Sequence, residues 1–288
     1  MQQSRKDLAV GIFDSGVGGL SILAAIKKEL TTEQIIYFAD QAHVPYGERP
    51  LKEVKNLSSK ITQFLISEGA KIIVVACNTA SAAALRDLRS QFPDIPFIGM
   101  EPAVKPASEY TKTGLIAVLA TPATFQGKLY ASLIEKYANN ITVLQDTCPG
   151  LVKQIEKGEL NSQITRTILQ NALTPMLERG ADTVVLGCTH YPFVIPVIRK
   201  ITGPQVNIID PSNAIARQTK NILRERNLLR NLDDYPSIDN REDYIQIYTS
   251  GDKDELKILI PNFISYKHLI HQTEWVNNKI KKITLFNK

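Results

Sequence analysis

Two cysteines occupy equivalent places in this sequence. KIIVVAC ends at Cys77 and TVVLGC ends at Cys188, and each follows a Gly-Ala pair, with the glycine eight residues upstream (Gly69 and Gly180). Each is followed by polar residues that can hydrogen-bond, Asn78–Thr79 and Thr189–His190. A free cysteine after an apolar run is ordinarily a small core residue. Two at matching repeat positions invite a chemical reading. If the repeats face each other, the thiols face each other across one cleft. Inverting a stereocentre needs one group to remove a proton from one face of a carbon and another to deliver one to the opposite face. A thiol, with an ordinary pKa near ~8.5, can serve as thiolate base and thiol acid, and neighbouring donors or a helix start can tune it. The third cysteine, Cys148, has no counterpart in the repeat and reads as structural.

The companions fit a polar ligand. DSGVGGLS (14–21) sets Asp14, Ser15 and three glycines between a strand and a helix. Glycines there allow positive φ, close backbone approach and N–H groups aimed at an anion; a plain structural turn accounts for the segment equally well. It is neither a dinucleotide fingerprint, which needs glycine at Ser21, nor a phosphate loop, which needs GK[ST]. Asn78, Thr79, Thr189 and His190 can donate to a carboxylate. Asp14 can hold an ammonium group or polarise a thiol, and His190 beside Cys188 suggests a cysteine–histidine couple.

These residues need a scaffold that lines up strand ends. Short apolar runs at 8–13, 34–39, 71–77, 97–100, 115–120, 141–145, 183–188 and 206–210 alternate with helical patterns at 20–30, 56–69 and 81–92. That alternation predicts an α/β fold with parallel sheets, whose ligands bind at the carboxyl ends of the strands. Residues 68–103 align with 179–214, each closing on an acid before proline (Glu101-Pro102, Asp210-Pro211), and Asp14 and Asp40 are spaced like Ala120 and Asp146. Two pseudo-symmetric α/β domains follow, residues 1–100 plus 212–288 and residues 101–211, with the active site in the cleft between them. In the tail, 243–250 reads as a strand, 254–264 as a helix interrupted by Pro261, and the basic amphipathic stretch 265–288 as a packing helix or interface element.

The 288 residues, 43% hydrophobic, suffice for a substantial core. The net charge of +5 is modest and partly terminal, too diffuse for a nucleic-acid site. Three widely spaced cysteines without CxxC argue against disulfide or zinc frameworks. No apolar run is long enough for a membrane span or a secretory leader, so a cytoplasmic protein without membrane attachment is expected.

Five segments carry a family resemblance: GIFDSGVGGLS (11–21), YFADQAHVPYG (37–47), VVACNTASA (74–82), TCPGLVKQIEKG (147–158) and LGCTHYPF (186–193). The chain resembles the glutamate racemases of the aspartate/glutamate racemase superfamily. The resemblance implies interconversion of L- and D-glutamate without metal or other cofactor, a homodimer, no nucleic-acid partner, and supply of D-glutamate for peptidoglycan. It implies that Cys77 works on the D face and Cys188 on the L face, assisted by Asp14 and His190 respectively. Asp14, Ser15, Tyr46, Gly47, Asn78, Thr79, Thr121, Thr189 and His190 would line the glutamate site, with Asp40 and Glu156 in support. The chain departs from the family pattern at Ala39, where glycine is frequent, around Glu156, and beyond about residue 265. Aspartate racemases, which tend to carry Glu after the second Cys-Thr, are the nearest rival; His190 favours glutamate. A non-catalytic amino-acid-binding module is the alternative of a different class.

Overall fold

The computed structural model describes residues 5–230, 245–262, 264–265 and 267–283. Among the described residues, eleven strands form two sheets. The first holds β1 (Ala9–Asp14), β2 (Ile35–Ala39), β3 (Ala70–Val75), β4 (Phe97–Gly99), β9 (Ile245–Thr249), β10 (Leu269–Val276) and β11 (Lys279–Lys282), in the order β11-β10-β9-β2-β1-β3-β4. The second holds β5 (Leu115–Ala120), β6 (Thr142–Asp146), β7 (Thr183–Gly187) and β8 (Asn207–Ile209), in the order β6-β5-β7-β8. All pairings are parallel except β10 with β11. Every residue of β1, β2 and β3 is buried, as expected of strands covered by helices on both faces.

The repeat is visible in the topology. β2-β1-β3-β4 and β6-β5-β7-β8 follow one order, and Gly69 and Gly180 enter β3 and β7 at φ +90° and +95°. Both end a helix in the left-handed conformation, where a side chain costs energy. The largest apolar cluster runs through both halves, joining Val10 and Ile12 with Leu119, Leu186 and Tyr191.

The tail differs from its sequence reading. Residues 269–282 form not a packing helix but a hairpin that adds β10 and β11 to the first sheet. Asn277 and Asn278 turn it at φ 48° and 60°, the pair of positive φ values that matches hairpin twist. Exposed Lys279, Lys281 and Lys282 lie on the outermost strand, where charge discourages edge-to-edge association. The tail's basicity is thus an edge property. The helix expected over 254–264 spans Lys253–Leu259, capped by the Asp252 carboxylate and continued by a 3-10 turn through Pro261. The strand expected over 243–250 is β9; Asp243 and Tyr244 lie outside the described residues.

Candidate active site

The parallel strands deliver the candidate residues at their carboxyl ends. Asp14 is the last residue of β1, Cys77 follows β3 by two residues, Thr121 follows β5, and Cys188 follows β7 directly. Cys77 caps the helix Asn78–Gln91, its sulfur accepting from the Ala80 N–H at 3.4 Å.

Cys77 and Cys188 border one cavity together with Ser15, Tyr46, Gly47, Asn78, Thr79, Thr121, Thr189 and His190. Of the substrate-lining residues expected from the sequence, Asp14 alone stands back from this wall. Its carboxylate, fully buried, accepts from the Gly16 N–H and the Thr189 hydroxyl, both at 3.0 Å. Thr189 belongs to the second half, so Asp14 also ties the halves together. Burial raises the Asp14 pKa, partly offset by the charge of His190.

The two thiols have different surroundings. Burial pushes Cys77 far above the ordinary thiol range, and the Asp14 charge pushes the same way against bonds from Ala80 and Ser15. Cys77 is therefore a neutral thiol at neutral pH. Cys188 lies 3.7 Å from His190 Nδ1. The other nitrogen of that ring, Nε2, is 2.5 Å from Glu156 Oε1. Burial alone would discharge His190, but its bonds to Cys188 and Glu156 prevail and hold its pKa well above 6.5. Glu156 is a stronger participant than its sequence signal suggested. It reaches back to accept from the Val17 N–H at 2.9 Å, so one carboxylate joins the β1 loop to His190.

This explains the glycines of DSGVGGLS. Gly16, Gly18 and Gly19 do not have positive φ. A Cβ on Gly16 would lie inside Glu156, and one on Gly18 would come within 2.6 Å of both His190 Nδ1 and Thr189 Oγ1. The segment is bare because side chains of the second half press against it. The Gly16 and Val17 N–H groups serve the protein's own carboxylates rather than a free anion. Gly47 is bare for the same steric reason: a Cβ there would run into the Thr121 side chain.

Two further features look toward a ligand. Both side-chain polar atoms of Asn78 are buried and without a hydrogen-bond partner, an arrangement that costs energy unless a ligand completes it. Thr79 and Thr121, from opposite halves, share a hydrogen bond of 2.8 Å, and Thr124 joins them. The cavity offers about 20 Å³, space for one water but for no amino acid. A neighbouring cavity of about 160 Å³ shares Pro45, Gly47, Thr121 and Val152 with it, and the Glu48–Lys153 ion pair joins the halves across that second space.

Asp40 does not line the cavity. It sits behind Tyr46, whose hydroxyl donates to it at 2.6 Å. Cys148 is buried in the wall of the neighbouring cavity, at φ 45°. Sequence reasoning missed Pro45 and Val152 as cavity walls; Pro45 is signalled only by its adjacency to Tyr46, and apolar Val152 carries no chemical mark.

The profile of the Asp/Glu/Hydantoin racemase family matches residues 18–219. A glutamate racemase of Roseiflexus sp. is 45% identical over 87% of this chain and 90% of its own length. A glutamate racemase isoform from Bacillus anthracis superposes with a TM-score of 0.79 at 29% identity, covering 98% of this chain and all of its own. The Francisella tularensis glutamate racemase, solved in complex with D-glutamate, gives a TM-score of 0.77 at 30% identity, covering 92% of this chain and 97% of its own.

Proposed function

This chain belongs to the Asp/Glu/Hydantoin racemase family and is an amino-acid racemase, and from that premise we propose that it interconverts L- and D-glutamate through Cys77 and Cys188. The observation that carries this reading is the cavity shared by two thiols from equivalent strand ends, beside an Asn78 amide without a partner. The substrate carboxylate accepts hydrogen bonds from Asn78 and from the neighbouring threonine hydroxyls. The ammonium group is attracted by the buried Asp14.

In the L-to-D direction, Cys188 as thiolate takes the Cα proton. Cys77 as thiol gives its own proton to the opposite face. The Cα–H bond breaks as the S–H bond forms on Cys188, and a second Cα–H bond forms as the Cys77 S–H bond breaks. The charge moves from one sulfur to the other, and the reverse reaction or proton exchange with water resets them. Burial of Cys77 suits this direction, since it keeps that thiol in the acid form. His190, charged and held by Glu156, exchanges the proton of Cys188. The carbanion-like transition state gains most from fixed donors in a site closed to water, which fits the small volume of the closed cavity.

The division into residues 1–100 with 212–288, and 101–211, gives each domain one of the two proposed catalytic thiols, Cys77 in the first and Cys188 in the second, so domain opening exposes both. A homodimer in the cytoplasm, making D-glutamate for peptidoglycan, completes the proposal. Aspartate is the competing substrate. Side-by-side polarimetry or circular dichroism with each amino acid decides: loss of optical activity is expected with either glutamate enantiomer and at most a trace with aspartate. Faster racemisation of aspartate would reassign the substrate, and no racemisation of either would leave a binding module.

A further inference from the structure

We propose that Trp275, the chain's only tryptophan, is a positioning residue for the Cys77 side of the site, acting through Asp40 and Tyr46; this rests on the racemase reading above. The indole Nε1 of Trp275 donates to Asp40 Oδ1 at 2.8 Å. Ser250 donates to the same oxygen at 2.7 Å, Tyr46 to Oδ2 at 2.6 Å, and His43 Nδ1 lies 3.0 Å from both. Asp40 is fully buried, so its carboxylate depends on these donors in place of water. They come from separate segments: the loop after β2, the end of β9, and β10.

Tyr46 transmits the arrangement to the site. It borders the cavity with Cys77 and packs in the same apolar cluster. Its hydroxyl points at Asp40, so the carboxylate fixes the ring beside the thiol. Trp275 is itself well held. Its ring stands edge-on to His43, with centroids 5.0 Å apart. Thr273, two residues earlier, donates to the Thr249 carbonyl at 2.7 Å. The terminal hairpin thereby has a task beyond closing the sheet: it supplies a donor to a carboxylate one residue removed from the reacting groups.

The test is a double-mutant cycle on the full chain. Trp275→Phe keeps an aromatic ring facing His43 and removes the indole N–H together with part of the ring's bulk. Its kcat/KM for glutamate is expected to fall about threefold to tenfold, the equivalent of one net hydrogen bond. In a Tyr46→Phe background, where the link to Asp40 is already cut, the same change is expected to cost less than about twofold. Ser250→Ala, which removes another donor to that oxygen from just after β9, provides a second cycle should the tryptophan variant fold poorly, and the same non-additivity is expected. Additive losses, or an unchanged kcat/KM with a lowered melting temperature, would overturn the proposal. A wild-type chain that racemises neither enantiomer refutes the racemase reading instead, before any variant is compared.

Discussion

Alanine at Cys77 or at Cys188 is expected to lower kcat/KM for glutamate by about 10²–10⁴-fold, the usual contribution of a positioned proton-transfer group. The loss must be the same in both directions, because the enantiomers have equal free energy and the ratio of the two kcat/KM values is fixed. Neither substitution should unfold the protein. Both side chains are small and border a cavity, so little packing is lost. Circular dichroism gives rate and fold in one instrument. A variant that keeps near-normal racemisation would remove that sulfur from the mechanism.

The second large effect concerns a residue without a side chain. Gly18→Ala is expected to reduce kcat/KM about 10²-fold, the scale of an ångström-sized misplacement of catalytic groups. The new methyl would meet His190 and Thr189 at 2.6 Å. Neither can retreat freely: His190 is tied to Glu156 and Thr189 to Asp14. The halves must separate slightly, moving the Cys188 side away from the Cys77 side. Overpacking of this kind also costs about 1–3 kcal/mol of stability, which urea denaturation measures. Unchanged kinetics would mean that the loop and His190 move apart without consequence, contrary to the tight seam described above.

The strands and the duplication were legible because buried parallel strands leave unbroken apolar runs. LAVGIF and KIIVVAC have no other plausible place than a covered sheet. The cysteines were legible through the repeat. The hairpin was not. HQTEWVNNKIKK mixes charge into both strands because it lies at the sheet edge, and only its Asn-Asn pair marked a turn. The reason for the glycines was also hidden. Glu156 and His190, which press on Gly16 and Gly18, lie far away in sequence. Asp14 read as lining the site, and its side chain lies one layer behind the residues that border the cavity, a distinction that no spacing encodes. Asp40 needed partners from β9 and β10 before its position had a meaning.

The central claim is that two different groups move the two protons. Its most direct test follows the wild-type chain with L-glutamate in D₂O, sampled at low conversion by mass spectrometry, and then repeats the run with D-glutamate. The thiol that delivers the proton has exchanged with solvent, whereas the thiol that removes it holds the substrate's own hydrogen. The D-glutamate formed should therefore carry deuterium at Cα while the recovered L-glutamate does not, and the mirror result should hold from D-glutamate. Product that retains the substrate's hydrogen would contradict the account, since one group would then serve both faces.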